Sequence, residues 1–151
     1  MSTLHEQVKA FHEAVDVPVV TTPKVPSRDR LELRLKLIGE EFFELLDAAG
    51  YYYAGREVGT WKPQFRQHTS VVDFVELADA LGDLDYVVEG TRIECGIYGK
   101  PIADEIHRTN MLKVSGPIRE DGKRLKPDGW QPPDIRGLLI AQGWTPPDGA
   151  K

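Results

Sequence analysis

The sequence predicts an all-α protein of about four main helices and a tail. Two features carry that reading: apolar residues recur at helical spacing, and residues that start or stop helices punctuate the stripes. Leu4, Val8, Phe11 and Val15 form the first stripe, which ends at Pro18 and the loop from Pro23 to Pro26. Ser27 is a suitable N-cap for a second helix running to Gly50. Residues 51–70 carry three consecutive tyrosines, a tryptophan and two glycines without a clean period. They read as a long connection with room for a short helix or a swapped arm.

Ser70 followed by Asp73 has the look of a capping box, so a third helix is expected to start near Val71 and reach about Cys95, before Gly96 and Gly99 break it. Pro101 suits the first turn of a fourth helix, "PIADEIHRTNMLKV", which stops before Ser115-Gly116-Pro117. Beyond it the chain is rich in turns, with Asp121-Gly122, Asp128-Gly129 and Pro132-Pro133. "DIRGLLIAQ" reads as a last short helix, and the terminal "TPPDGAK" as disordered. The expectation is one all-α domain over residues 1–136, then a short helix and flexible tail over 137–151.

A chain of 151 residues suits one compact domain. Its net charge of −5 argues against a broad nucleic-acid-binding surface, whereas single nucleotides stay admissible if a metal bridges the charge. The single cysteine, Cys95, excludes an intramolecular disulfide framework and fits a reducing cytoplasm. No Cys/His cluster suggests zinc. The first 15 residues are polar and helical rather than signal-like, and no apolar run approaches the roughly 18 residues that span a bilayer. A soluble, cytoplasmic protein with no membrane partner is expected.

The acids are harder to place. On a wheel of the second helix, Leu31, Leu37, Ile38, Phe42 and Leu45 fill one apolar arc; Glu41 and Glu44 point into it and Glu40 sits at its edge. The third helix repeats the oddity. Glu76, Asp79 and Asp83 share a face with Val72, Ala80, Leu84 and Val87, while Asp85 points the other way. An ionised carboxylate placed among apolar groups costs several kcal/mol without a partner, so a metal, a buried Arg or Lys, or a raised pKa is called for. Two such helices, antiparallel in a bundle, would present an oxygen-rich cage of the kind hard divalent ions prefer. The bland alternative is a capped, salt-bridged bundle in which Arg34 or Lys36 serves the acids, although Lys36 falls away from the apolar arc.

The run Glu40-Glu41-Phe42-Phe43-Glu44, followed by Glu76-Leu77-Ala78-Asp79, resembles the ExxE…ExxD signature of the MazG-like all-α nucleoside triphosphate pyrophosphatases. The stretch "HRTNMLKVSGPIREDGKRLKPDGWQPPD", residues 107–134, is similar to the dUTPase-like branch of that superfamily. The resemblance implies a four-helix module, a homodimer or homotetramer, that hydrolyses NTPs or dNTPs such as dUTP or dGTP to monophosphate and pyrophosphate with Mg²⁺, for which Mn²⁺ can substitute. It implies Glu41 and Glu44 as metal ligands and Glu40 as the extra acid, placed to take a proton or hold a second ion. In the third helix two registers are open: Glu76 with Asp79 is the literal motif, whereas the following Leu-x-Tyr pattern selects Asp83. Asn110 and Lys113 are implied as phosphate contacts. Arg119, Lys123 and Lys126 form a basic loop able to close over a triphosphate, and Tyr51, Tyr52, Tyr53, Trp61 and Trp130 are candidates to stack a base.

Two rival readings remain at this stage. One is a non-catalytic helical module whose acids bind a structural ion or a basic partner. The other, a di-iron bundle, lacks the paired Glu-x-x-His ligands it needs.

Overall fold

The computed structural model describes residues 1–147. It is mostly helical, with five α-helices: α1 (Leu4–Ala14), α2 (Arg28–Ala48), α3 (Phe74–Glu94), α4 (Gly99–Met111) and α5 (Ile135–Ala141). The chain divides into two compact units. The first comprises Met1–Pro18 and Pro26–Thr91, the second Val19–Val25 and the residues from 92 onward.

In the first unit, Thr3 opens α1 with a capping box: its hydroxyl accepts the amide of Glu6, and the Glu6 carboxylate accepts the amide of Thr3 at 2.7 Å. Only part of the α1 stripe is covered, since Val8 is buried while Phe11 and Val15 stay about half exposed. Phe11 meets Tyr86 of α3 edge-on at 5.9 Å. Ser27 caps α2 as its position suggests, accepting the Arg30 amide.

Arg34 is buried and donates through Nη2 to the Val87 carbonyl at 2.9 Å and through Nε to Thr91 Oγ1 at 3.3 Å. It therefore braces α2 against α3. Lys36 turns outward to Glu32. Further along, the charge of Glu41 feels Asp83 and Asp79, so positions ascending α2 meet positions descending α3 and the two helices run antiparallel.

Two expectations need correction here. Residues 51–70 form neither a plain connection nor a helix but an antiparallel hairpin of β1 (Tyr51–Arg56) and β2 (Pro63–Gln67). Tyr53 lies opposite Phe65, and a bulge between Tyr53 and Gly55 explains why the tyrosine run shows no strict alternation. Helix α3 begins at Phe74, not near Val71, because Asp73 rather than Ser70 is the cap: its Oδ1 accepts the amides of Val75 and Glu76.

The second unit is built around α4. Tyr98 and Gln142 exchange two hydrogen bonds, Tyr98 N donating to Oε1 and Nε2 donating to the Tyr98 carbonyl. Glu105 accepts a two-pronged pair from Arg108 and the Asp134 amide, and these donors hold its carboxyl down at about 2. Helix α4 starts at Gly99, two residues before Pro101, and gives way after Met111 to a 3₁₀ turn over Leu112–Ser115. Asp134 caps α5 by accepting the Gly137 amide. The expected boundary at 136/137 thus falls inside α5, and of the terminal tail residues 148–151 lie outside the described residues. Among the described residues no helix is long and apolar enough to cross a membrane.

The hairpin is anchored at Gly50. Its φ of +83° is left-handed, and its carbonyl accepts the His68 amide at 2.9 Å where the returning strand ends. A Cβ there would lie 2.6 Å from the Thr69 carbonyl oxygen. Gly50→Ala should therefore destabilise the protein by at least about 1–2 kcal/mol, with hydrogen-exchange protection lost first at the β1–β2 amides; undiminished protection there would contradict this role for Gly50.

Candidate active site

Of the six acids expected at the site, five gather along the α2–α3 pair. Glu41 is half-buried, and its carboxyl is pushed above the ordinary range first by that burial and then by the charges of Glu44, Asp83, Glu40 and Asp79. Glu40, Glu44, Asp79 and Asp83 are exposed. Ala80, between the two α3 acids, is buried.

None of the acids expected to point into the apolar arc is enclosed, and only Glu41 is half-buried. The others keep their water, as carboxylates without a partner do. Among the described residues, no Lys, Arg or His forms an ion pair with Glu40, Glu41, Glu44, Glu76, Asp79 or Asp83. The salt-bridged alternative thus has no cation at this face. Lys36 is spent on Glu32, and Arg34 reaches the Val87 carbonyl and Thr91.

The sixth acid, Glu76, lies at an open cleft of about 490 Å³, lined by Phe43, Glu44, Asp47 and Ala48 of α2 and by Asp73 and Glu76 at the start of α3. Glu44 belongs both to this cleft and to the charges acting on Glu41. The donor chemistry fits a hard divalent ion: only carboxylate oxygens are offered, and their mutual repulsion is what such an ion would relieve. Among the described residues, however, no three Asp, Glu, His or Cys side chains already stand around a common point.

Sequence reasoning overlooked Phe43, Asp47 and Asp73 as cleft residues. Phe43 could have been found from its place inside the Glu-x-x-Glu run, where a phenylalanine off the apolar arc has no core to join. Asp47 lies 3.3 Å from His68 Nε2, at the hairpin's exit.

The other substrate candidates belong to the second unit. Lys113 donates to Asn110 Oδ1 at 2.7 Å, and both it and Lys126 stand over the Trp130 ring, at 5.4 and 4.1 Å from its centre. Trp130 Nε1 donates to the Thr109 carbonyl. This indole is engaged by protein groups on its face and its edge. Arg119 pairs with Asp121, whose carboxylate also accepts the Lys123 amide, within a turn closed by the Ile118–Arg124 bridge. The geometry brings together Asn110, Lys113 and Lys126; Arg119 and Lys123 share the neighbouring turn.

Of the remaining aromatic candidates, Trp61 is almost fully exposed beneath the Arg56 guanidinium at the hairpin tip. Tyr51, Tyr52 and Tyr53 lie along β1, each with more than a third of its surface exposed.

Residues 8–110 match the phosphoribosyl-ATP pyrophosphohydrolase family. A comparison with curated proteins finds no match. The matched span covers the acidic stretch of α2, all of α3 and most of α4, more than half of the chain. The chain belongs to the phosphoribosyl-ATP pyrophosphohydrolase family, within the MazG-like all-α pyrophosphatases, and is a hydrolase that cleaves a phosphoanhydride bond of a nucleoside triphosphate.

Proposed function

We propose that the protein hydrolyses a dNTP, such as dUTP or dGTP, to the monophosphate and pyrophosphate by attack of water on the α-phosphorus, with Mg²⁺ as cofactor. The observation that carries this reading is the crowding of Glu40, Glu44, Asp79 and Asp83 around the half-buried Glu41, with no ion pair from any cation among the described residues. Glu41 and Glu44 from α2, with Asp83, Asp79 and Glu76 from α3, are the residues that would hold the ion. When bound, Mg²⁺ neutralises phosphate oxygens and makes a bound water more acidic.

The chain's own residues do the rest. As the water oxygen bonds to the α-phosphorus, the bond to the oxygen bridging towards the β-phosphorus breaks, and pyrophosphate leaves with that electron pair. Glu40, exposed beside Glu41, accepts the water proton. Asn110, Lys113, Arg119, Lys123 and Lys126 are the proposed phosphate contacts. The 107–134 stretch supports placement in the dUTPase-like branch. A dimer or a dimer of dimers is part of the same reading, supported by the apolar side chains left open on α3, of which Phe74 is 77% and Val75 75% exposed. Cytoplasmic residence is consistent with the lone Cys95.

Incubation with a dNTP panel, in Mg²⁺ or EDTA, should yield monophosphate and pyrophosphate only with the metal. Diphosphate plus orthophosphate would overturn attack at the α-phosphorus. Glu40→Gln should lower kcat by about 10²–10⁴-fold, the usual range for a general base.

Glu41 gives a separate test. A carboxyl raised in the folded state weakens the fold above its raised pKa, and the weakness disappears as pH falls through that value. Metal-free Glu41→Gln should therefore melt about 1–3 °C above the parent at neutral pH, with the gap closing in acid. Mg²⁺ should stabilise the parent more than the variant; equal stabilisation would remove Glu41 from the ligand set.

A further inference from the structure

The acid-lined cleft has one aromatic wall, and that wall is held from behind. Phe43 is 55% exposed and lines the cleft together with Glu44, its neighbour in sequence. Behind it, Tyr53 of β1 meets Phe65 of β2 at 6.5 Å between ring centres, Phe65 meets Phe42 at 6.4 Å, and Phe42 meets Phe43 at 5.9 Å. The hairpin thus ends a continuous aromatic chain at the cleft. A two-stranded hairpin is at best marginally stable alone, so this packing is also what keeps it folded.

Asp47 stands one helical turn beyond Phe43 on the same side of α2, and it lines the same cleft. Its Oδ1 lies 3.3 Å from His68 Nε2. Its carboxylate, like the cleft's other carboxylates, is an acceptor when ionised and offers no donor.

We propose that Phe43 and Asp47 form the nucleobase subsite, Phe43 stacking on the base and Asp47 accepting a hydrogen bond from an amino-bearing base edge. This rests on the nucleoside triphosphate pyrophosphohydrolase reading and narrows its substrate to guanine, adenine or cytosine nucleotides in preference to uracil or thymine. The volume of the cleft falls within the range that holds small ligands. The lining offers both things a nucleotide needs, an aromatic ring for the flat π-face of the base and cation-binding acids for the phosphates. Stacking reads the face of a base and tolerates any of them. Discrimination must come from the edge, where uracil and thymine present two carbonyls flanking a single N–H and no amino group, so that a carboxylate meets repulsion.

The test compares dGTP, dUTP and the triphosphate of 1,2-dideoxyribose, which has no base, on the parent and on its variants, each assayed below its own melting temperature. Phe43→Ala should raise KM for dGTP by about tenfold or more, while Phe43→Tyr keeps it, and Phe43→Ala should raise KM far less for the base-free triphosphate. Phe65→Ala, acting through Phe42, should raise the dGTP KM without lowering kcat on the base-free substrate. The parent should prefer dGTP to dUTP in kcat/KM, and Asp47→Ala should reduce that preference. Turnover with unchanged KM in Phe43→Ala overturns the stacking role; an unchanged dGTP to dUTP ratio in Asp47→Ala overturns the edge contact. If the parent cleaves none of the three, the proposed dNTP pyrophosphohydrolase reading falls, and this one with it.

Discussion

Negative charge gathered on one helical pair is the constraint around which the first unit is organised. Glu41 is half-buried with four carboxylates acting on it, and among the described residues no lysine or arginine pairs with any of the five. A fold gains nothing from such an arrangement by itself, since like charges at helical spacing destabilise by a few tenths of a kcal/mol per pair. On the function proposed above, a cation arriving with the substrate would relieve that repulsion. Membership of the pyrophosphohydrolase family gives that substrate its class, a nucleoside triphosphate whose own charge would otherwise be repelled from this face.

The two units divide the chemistry by charge. The first holds the acids, and the second holds the basic residues of the 3₁₀ turn and the loop after it. In the second unit, Lys113 and Lys126 lie over Trp130, and Arg119 is paired with Asp121. These exposed pairs are individually weak, so the lysines and arginine can exchange partners at small cost. The contrast with Trp130 is instructive: an indole whose N–H is bonded to the Thr109 carbonyl and whose face carries ammonium groups is part of the loop's own scaffold. Among the described residues no cation stands over the Phe43 ring.

Much of this was legible in the sequence because it rests on local rules. Ser27 as cap of α2, the end of α3 near Cys95 and the short helix after Asp134 follow from capping and periodicity. The acids were legible because Glu41 sits in the apolar arc, where it should not be without a reason. The hairpin was not read. Its β1 strand carries a bulge that breaks the period of two, and its packing rests on contacts between residues far apart in sequence, such as Phe65 on Phe42. The aromatic-rich runs flanking the Val58-Gly59-Thr60 turn were the available signal. The start of α3 was misplaced because Ser70 and Asp73 both qualify as caps, and only the observed amide bonds choose Asp73. The cleft was missed because its lining comes from two helix ends that pattern alone does not bring together.

Arg34 fixes how far apart the acids can be. A buried guanidinium that donates to the Val87 carbonyl and to Thr91 tolerates no sliding between α2 and α3, because a slip of one turn would leave a buried positive charge without those acceptors. Arg34 and Glu41 are two helical turns apart on one rod, and Val87 and Asp83 one turn apart on the other. The guanidinium therefore works as a ruler: it sets the longitudinal offset of the carboxylates from outside their circle, leaving them to move only by rotating their own side chains.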